Sequence, residues 1–108
     1  MNQEVQLLLK SKAEIFKALA HPTRLWIVEQ LREGDRCVCE LVENIDFDFS
    51  TISKHLSVLK NAGIVDSNKV GKKIFYSLKV PCIMKFIGCV EQVIKINAEE
   101  QSRIIHFE

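Results

Sequence analysis

The apolar residues of this chain follow a helical spacing up to Gly63, alternate with polar residues along the next stretch, and return to a helical spacing from Pro81. Apolar residues three and four apart predict amphipathic helices, whereas alternation predicts strands with one buried face. The sequence therefore predicts a mainly α fold with one β-hairpin: four helices, two strands and a last helix.

The first two helices are separated by His21 and Pro22. Proline is tolerated at the first position of a helix and disfavours helix in the residue before it, so this pair ends one helix and opens the next. Gly34 follows the last apolar residue of the second helix and is expected to end it.

Two more helices are predicted close together. The run from Cys37 to Ile45 predicts a helix of about two to three turns. The stretch STISKHLSVLKNAG predicts a fourth helix, with Ser50 as its N-cap and Gly63 as its C-terminal stop. Two short helices joined by a tight turn, here residues 37–62, form a helix-turn-helix.

The alternating stretch, residues 64–80, predicts a β-hairpin whose strands are GIVDSNKV and KIFYSLKV. The VGKK between them supplies a glycine for the turn, and lysines lie at the tip. A hairpin directly after a helix-turn-helix acts as a wing. The complete order is therefore that of a winged helix-turn-helix, α-α-α-α-β-β-α.

The formal net charge of +1 conceals an uneven distribution. Residues 35–49 carry five acids and one arginine, whereas residues 50–80 carry six lysines and one acid. A basic segment on a nearly neutral protein predicts a surface that contacts phosphate, although a merely solvated lysine-rich surface has the same charge.

The fourth helix has a polar face without acids opposite its apolar stripe of Ile52, Leu56 and Leu59. Short hydroxyl and amide side chains let a helix enter a major groove, and a lysine among them attracts phosphate. The predicted DNA-binding residues are Ser50, Thr51, Ser53, Lys54, Ser57 and Asn61 on this face and Lys69, Lys72 and Lys73 at the hairpin tip. The tip lysines would also block aggregation through a strand edge. His55, about 70° from the stripe, is expected to be partly buried and hydrogen-bonded.

The chain of 108 residues is predicted to form a single domain, residues 1–108. Its last helix has a broader apolar face than so small a core can cover. The helices at residues 1–20 and 81–100 are therefore predicted to form the surface of a homodimer.

The N-terminal residues lack a cationic leader ahead of a long apolar region, and no apolar run approaches the roughly 20 residues that span a bilayer. The protein is expected to be cytoplasmic, with no membrane partner. Because cytosolic thiols are held reduced, the four cysteines indicate metal or redox chemistry rather than a disulfide framework.

Cys37 and Cys39 flank a single valine, and Glu40 follows. Cys37 stands where a capping box would have Ser or Thr, and Glu40 stands at the position of the box's acid. A thiol is a poor cap, which suggests that the sulfur has another task. Residues two positions apart point about 200° away from each other on an α-helix. We therefore expect that chelation by both cysteines unwinds the first turn. We also expect that this spacing excludes an easy Cys37–Cys39 disulfide.

The segments KALAHPTRLWIVEQL, CVCEL and STISKHLSVLKNAGIVDSNKVGKKIFYSL resemble the ArsR/SmtB family of winged-helix repressors, in particular its arsenic repressors, over about residues 13–80. The resemblance implies a homodimer that binds double-stranded operator DNA and releases it when an inducer binds. CVCEL resembles the family's metalloid and heavy-metal box, which makes Cys37 and Cys39 the expected ligands.

Familiar sites of the family are incomplete in this chain. Arsenic sensors of the best-known type carry a third cysteine where Val42 stands, and cadmium and lead sensors have cysteines in the N-terminal arm, which has none here. The zinc-type site on the last helix needs an Asp and several His, yet that region has only His106. Cys82 or Cys89 is a candidate for the third thiolate, and dimer-core packing is the alternative for both.

The predicted function is a repressor that is released from DNA by As(III) or Sb(III), with Cd, Pb or Zn as further candidate inducers. A winged-helix repressor that uses the same cysteines to sense redox state or reactive sulfur is the alternative. An enzyme is disfavoured, because the sequence has no paired nucleophile and base, no paired carboxylates and no Gly-rich phosphate loop.

Overall fold

The computed structural model describes residues 1–107, with side chains for residues 1–103. The elements are α1 (Gln3–Leu19), α2 (Pro22–Arg32), β1 (Arg36–Cys37), α3 (Val38–Val42), α4 (Phe49–Asn61), β2 (Val65–Val70), β3 (Lys73–Leu78) and α5 (Ile83–Phe107). The predicted order of helices and hairpin is confirmed, with β1 as an additional strand.

The junction of α1 and α2 forms as His21 and Pro22 predict. His21 is the N-cap of α2, and its Nδ1 accepts a hydrogen bond from the backbone N–H of Thr23 at 3.0 Å. Pro22 occupies the first helical position, where a missing N–H is no loss. The imidazole therefore satisfies one of the free donors at the start of the helix.

The core is built around α4. Its apolar stripe of Ile52, Leu56 and Leu59 has no exposed surface, and the stripe packs with the fully buried Ile27 and Val28 of α2. Burial of side chains of this size is worth about 1.5–3 kcal/mol each. This packing turns the polar face of α4 outward.

The start of α4 differs from the prediction, because Asp48 and not Ser50 is the N-cap. One carboxylate oxygen of Asp48 accepts from the backbone N–H of Thr51 at 2.8 Å and from the hydroxyl of Ser50 at 3.2 Å. A carboxylate is a stronger acceptor than a hydroxyl at a helix N-terminus. Ser50 therefore lies inside the first turn.

The end of α4 is the predicted glycine stop. Gly63 has a φ of +81°, its N–H donates to the carbonyl of Lys60, and the N–H of Ile64 donates to the carbonyl of Leu59. This pair of bonds is a Schellman motif, and the buried side chains of Leu59 and Ile64 provide its apolar contact. The motif fixes where the chain leaves α4 and enters β2.

The sheet has the order β1-β3-β2, with both pairs antiparallel. The hairpin register pairs Val65 with Leu78 and Val70 with Lys73. On the other edge of β3, Arg36 pairs with Tyr76 and Cys37 with Phe75. The residues directly before α3 are thus part of the wing sheet.

The third helix is shorter than the run from Cys37 to Ile45 suggests. It ends at Val42, and the side-chain amide of Asn44 donates to the carbonyl of Glu40 at 3.3 Å. Asparagine competes in this way with backbone hydrogen bonds and favours turns over helix. Ile45 still packs against the core from the turn.

Much of α1 and α5 lies outside the core. α5 packs through Ile83, Met84 and Ile87, near its start, and extends beyond the predicted limit at residue 100. Large apolar side chains are exposed on both helices: Val5, Leu7, Leu8, Leu9 and Phe16 on α1, and Phe86, Val90, Val93, Ile94 and Ile96 on α5. The rings of Phe16 and Phe86 lie 5.3 Å apart and join the two faces. None of the helices in residues 1–107 is both long and apolar enough to cross a membrane.

Replacing Gly63 by alanine should lower the free energy of unfolding by about 1–2 kcal/mol, because an L-residue pays that much in the left-handed region. A Cβ at this position would meet no atom within 4 Å, so the loss comes from the backbone alone. Gly63→Asn is the matched control and should lose less, since asparagine tolerates this conformation. Urea unfolding at fixed protein concentration measures both, and equal losses would contradict the backbone explanation.

Candidate nucleic-acid interface and cysteine site

The polar face of α4 is exposed and available to a binding partner. Ser50, Lys54, Ser57 and Asn61 are exposed, and Thr51 and Ser53 are half-buried at its flanks. The hydroxyl of Ser57 donates to the carbonyl of Ser53 at 3.0 Å and keeps its lone pairs free to accept. The structure therefore brings all six predicted residues of α4 to one side of the helix or to its edges.

One acid, Asp48, stands at the start of this face, and the sequence analysis missed it. Hydrogen bonds from the hydroxyl and the backbone N–H of Thr51, and from the hydroxyl of Ser50, hold the pKa of Asp48 below its ordinary value. Asp48 therefore stays ionised and keeps both neighbouring hydroxyls oriented. Its position directly before a helix was the available signal, since Asp is as good an N-cap as Ser.

His55 lies on the flank of α4 and links three helices. Its predicted partial burial and hydrogen bonding are confirmed. Its Nδ1 accepts from Nε of Arg24 at 3.2 Å, and Arg24 also donates to the carbonyl of Ala18 at the end of α1. The rings of His21 and His55 lie 4.4 Å apart. Burial, followed by the charges of His21 and Arg24, lowers the pKa of His55.

The wing presents its predicted lysines to solvent. Lys69, Lys72 and Lys73 are all exposed around the turn of the hairpin, where Gly71 has a φ of +64°. Lys60 of α4 donates to the hydroxyl of Ser67 in β2 at 2.6 Å. This bond holds the wing against the end of α4.

Cys37 is the N-cap of α3 and is only 2% exposed. Its backbone N–H donates to Oε1 of Glu40 at 3.2 Å, which is the half of a capping box that the acid supplies. The predicted cap position is therefore confirmed, with Cys37 and Glu40 at the two ends of a capping box.

The sulfurs of Cys37 and Cys39 are joined in a disulfide, so the expectation that the spacing excludes this bridge is wrong. The reason is that Cys37 is extended, with a ψ of 164°, and only Cys39 belongs to the helix. Their Cα atoms lie 5.3 Å apart, within the ordinary range of about 4.4–6.8 Å. The two sulfurs meet while α3 begins at Val38, so their approach does not require the first turn to unwind; unwinding on chelation stays a prediction.

A cleft of about 280 Å³ lies between the cysteine pair, the start of α4 and the wing. We refer to it as the wing cleft. It is lined by Cys37, Val38, Cys39, Phe49, Ser53, Lys72, Lys73, Ile74 and Tyr76. Three of the predicted DNA-binding residues thus line the same space as the two predicted ligands.

Cys82 and Cys89 are exposed free thiols, Cys89 on α5 and Cys82 just before it, and neither lines the wing cleft. Within the part of the chain that the structure describes, no three His, Cys, Asp or Glu side chains come together as a metal site. The side chain of His106 lies outside the described residues. The structure therefore brings two of the four cysteines together.

Residues 21–67, from the N-cap of α2 into β2, match the family described as "Bacterial regulatory protein, arsR family". The chain is also 39% identical over 92 residues to an uncharacterized HTH-type transcriptional regulator of Mycobacterium tuberculosis. The aligned residues make up 84% of this chain and 81% of that protein. The chain belongs to the ArsR family. Its predicted nature as a DNA-binding regulator, and not an enzyme, is thereby confirmed.

Two further relatives match over about half of their own length. The HTH-type transcriptional repressor SmtB of Mycobacterium tuberculosis is 42% identical over 66% of this chain and 53% of that protein. A CadC homolog of Staphylococcus aureus, a cadmium resistance transcriptional regulatory protein, is 45% identical over 61% of this chain and 55% of its own.

Solved structures agree with the fold. Rv0081 of Mycobacterium tuberculosis superimposes with a TM-score of 0.78 at 37% identity, over 87% of this chain and 95% of that one. The homodimeric winged helix-turn-helix DNA-binding domain of Mb0332 from Mycobacterium bovis gives 0.80 at 26% identity, over 93% of both chains. Reduced HlyU from Vibrio cholerae gives 0.72 at 26%, over 85% and 97%.

Acidification should destabilise this ArsR-family protein through His55. The pKa of His55 is lower in the folded state than the value of about 6.5 expected in the unfolded state. The stability that the neutral imidazole contributes is therefore fully present above the unfolded pKa. It is lost as the pH falls through the unfolded pKa toward the folded pKa. Protonation would also remove the acceptor of the Arg24 hydrogen bond.

The measurement is urea unfolding between pH 7.5 and about 5 at fixed protein concentration. His55→Gln keeps a neutral acceptor and should flatten the decline relative to the unsubstituted chain. Identical pH profiles for the two proteins would contradict this role of His55.

Proposed function

We propose that this chain is a cytoplasmic, homodimeric repressor that binds double-stranded operator DNA and releases it when a thiophilic metalloid or metal binds Cys37 and Cys39. As(III) and Sb(III) are the foremost inducers, with Cd, Pb or Zn as further candidates. The observation that carries the proposal is the wing cleft, in which the cysteine pair, the start of α4 and two wing lysines share one space.

DNA binding rests on α4 and the wing. α4 has short polar side chains and Lys54 on its exposed face, and this composition suits entry into a major groove. The proposed contacts of α4 are Ser50, Thr51, Ser53, Lys54, Ser57 and Asn61. The wing contributes Lys69, Lys72 and Lys73 to neighbouring phosphates.

Replacing Lys72 and Lys73 together by alanine should weaken operator binding by the dimer and reduce the slope of log K against log salt by about four, because each of the four phosphate contacts, two from each chain, contributes about one. The matched control replaces Lys10 and Lys12, which are exposed on α1. Fluorescence anisotropy on promoter DNA at several salt concentrations measures both variants. An unchanged slope for the wing variant would remove these lysines from the interface.

Dimerisation rests on the apolar faces of α1 and α5. A single chain has a radius of gyration of 17.4 Å, against about 13 Å for a compact domain of this size, because these helices extend beyond the core. Burying the exposed side chains of both helices in a second copy would cover ten large apolar side chains that a single chain leaves exposed. The homodimeric Mb0332 domain, with the same fold, supports this assembly.

Induction rests on the position of Cys37 in β1. A ligand bound to Cys37 acts on the strand that pairs with β3, and therefore on the wing, while the same ligand occupies the space next to Ser53 of α4. An inducer that binds better to a wing arrangement that fits DNA worse lowers DNA affinity, and DNA lowers inducer affinity by the same factor. The cadmium resistance regulator CadC, a relative of this chain, supports a soft metal or metalloid as inducer.

A thiol-redox repressor is the second candidate, and the bond between Cys37 and Cys39 favours it. Peroxide would oxidise the two thiols to the disulfide and be reduced to two waters, and a dithiol would reverse the reaction. HlyU from Vibrio cholerae, a solved neighbour with the same fold, is described in a reduced form, which supports a test of redox chemistry on this fold. In this version the bridge itself changes the wing and the affinity for DNA.

In the metalloid version, Cys37→Ser and Cys39→Ser should each leave operator binding intact and abolish its release by arsenite. Serine suits the N-cap position of Cys37, so the fold should be retained. Gel shifts of the reduced proteins on promoter DNA, with and without arsenite, provide the measurement. Unchanged release in both variants would end the sensing role of the pair.

The controls separate the ligands and the two mechanisms. The double variant Cys82→Ser, Cys89→Ser should respond normally if neither thiol is a ligand, and thiol counting after arsenite should find two protected thiols per chain. Three or more protected thiols would bring in Cys82 or Cys89. Release by peroxide without metalloid, with no response to arsenite, would favour the redox repressor.

A further inference from the structure

The carboxylate that caps α4 has one oxygen that the helix does not use. We infer that Asp48 is a specificity-determining residue, whose free oxygen accepts a hydrogen bond from the exocyclic amino group of a cytosine in the major groove of the operator. This inference rests on the proposed entry of α4 into that groove, and it names one of the bases that the helix reads there.

The first observation is the division of work between the two oxygens of the carboxylate. Oδ1 of Asp48 accepts two hydrogen bonds, from the backbone N–H of Thr51 at 2.8 Å and from the hydroxyl of Ser50 at 3.2 Å. Within the part of the chain that the structure describes, Oδ2 accepts no hydrogen bond. Each carboxylate oxygen has about two lone-pair sites, so Oδ2 can still accept from a ligand.

The second observation is the location of this carboxylate. Asp48 is exposed, and the Ser50 hydroxyl that donates to it belongs to the polar face of α4. The charge of Lys54, on the same face, adds to the hydrogen bonds from Thr51 and Ser50 in lowering the pKa of Asp48. The N-terminal residues of a recognition helix are those that contact base edges. Asp48 therefore stands beside the polar face at the base-contacting end of α4.

The charge of Asp48 limits what it can contact on DNA. An ionised carboxylate accepts hydrogen bonds and donates none. It is repelled by the phosphates, which the hydroxyls and lysines of the same surface can bind. Its direct partners on DNA are therefore the amino groups at the base edges.

Two bases present an amino group in the major groove, and the atoms beside that group distinguish them. Adenine N6 lies next to N7 of the same base, an acceptor that repels a carboxylate, whereas cytosine carries no acceptor on its own edge. Guanine and thymine present acceptors and a methyl group, but no donor. Cytosine is thus the base that fits Asp48.

The cap prepares this contact before DNA is bound. The two hydrogen bonds to Oδ1 hold the carboxylate in one orientation, so little side-chain freedom is lost when Oδ2 meets a base. Opposite a base without an amino group, the carboxylate would lose water and gain no partner. The contact therefore selects for cytosine and against the other bases.

The test is selection from a random double-stranded DNA library by the full chain, followed by sequencing, for the unsubstituted protein and three variants. Asp48→Asn keeps an equally good N-cap, removes the charge and supplies the amide that pairs with adenine N6 and N7. Asp48→Ser keeps a cap without a carboxylate or an amide. Asp46→Asn is the matched control, since Asp46 is an exposed acid two residues away, outside the cap.

We expect the unsubstituted protein to prefer cytosine at one position of each half-site about fivefold or more, the low end of what a base contact is worth. Asp48→Asn should shift the preference at that position to adenine, and Asp48→Ser should lose it without replacement. Asp46→Asn should keep the cytosine and change the affinity for all sequences alike.

Three results would overturn the inference: no position that prefers cytosine, the same base preferences in Asp48→Asn as in the unsubstituted protein, or an equal rise in the affinity of Asp48→Asn for every sequence. The last result would make Asp48 a cap that merely repels phosphate. Urea unfolding of each variant checks that the fold is retained, and Asp48→Asn and Asp48→Ser serve as substitutes for each other.

The same selection separates this inference from the function on which it rests. If a common sequence is enriched and Asp48→Asn selects it unchanged, operator binding stands and the role of Asp48 in base recognition fails. If no sequence is enriched over the starting library, both fail together.

Discussion

The complete burial of one face of α4 determines most of what this protein can do. Ile52, Leu56 and Leu59 leave no exposed surface, so rotation of the helix by even one residue would bring a polar side chain into the core. The N-cap at Asp48 and the Schellman motif at Gly63 fix the two ends of the same helix. The outward face is therefore held in position by contacts that no DNA-binding side chain has to provide.

The second constraint is that β1 consists of only two residues, which belong to the wing sheet and also lead directly into α3. Arg36 and Cys37 pair with the central strand of the sheet, and Cys37 is also the N-cap of α3. The Glu40 carboxylate satisfies the backbone N–H of Cys37, so the thiol is not needed to start the helix. In the proposed mechanism, the chemistry of the thiol changes while the helix stays in place, and β1 passes the change to β3.

Much of the fold could be predicted because its elements have periodic apolar patterns or begin and end at residues that favour helix termini and turns. The helices, the hairpin, the proline start of α2 and the glycine stop of α4 all came from such signals. β1 has too few residues for a period and exists only through pairing with residues about 40 positions away. The N-cap of α4 could not be settled from the sequence, because Asp48 and Ser50 lie two residues apart and both residue types are good N-caps.

The candidate site was harder to predict than the fold. Sequence spacing identified Cys37 and Cys39, but the 200° separation assumed that both were helical, whereas the first is extended. The cleft could not be foreseen, since its walls come from three segments far apart in sequence. The partial burial of His55 was predictable from its angle to the stripe, whereas its partner Arg24, 31 residues away, was not.

The exposure of Phe49 and Ile74 has an evolutionary consequence. These side chains add little to the folding free energy, so a substitution at either position alters the lining of the cleft without weakening the packing that orients α4. Neither side chain is among the proposed DNA contacts, whereas Ser53, Lys72 and Lys73 of the same cleft are. Under the proposed function, single substitutions at these two positions can therefore change which inducer the cleft accepts, while the proposed DNA contacts stay the same.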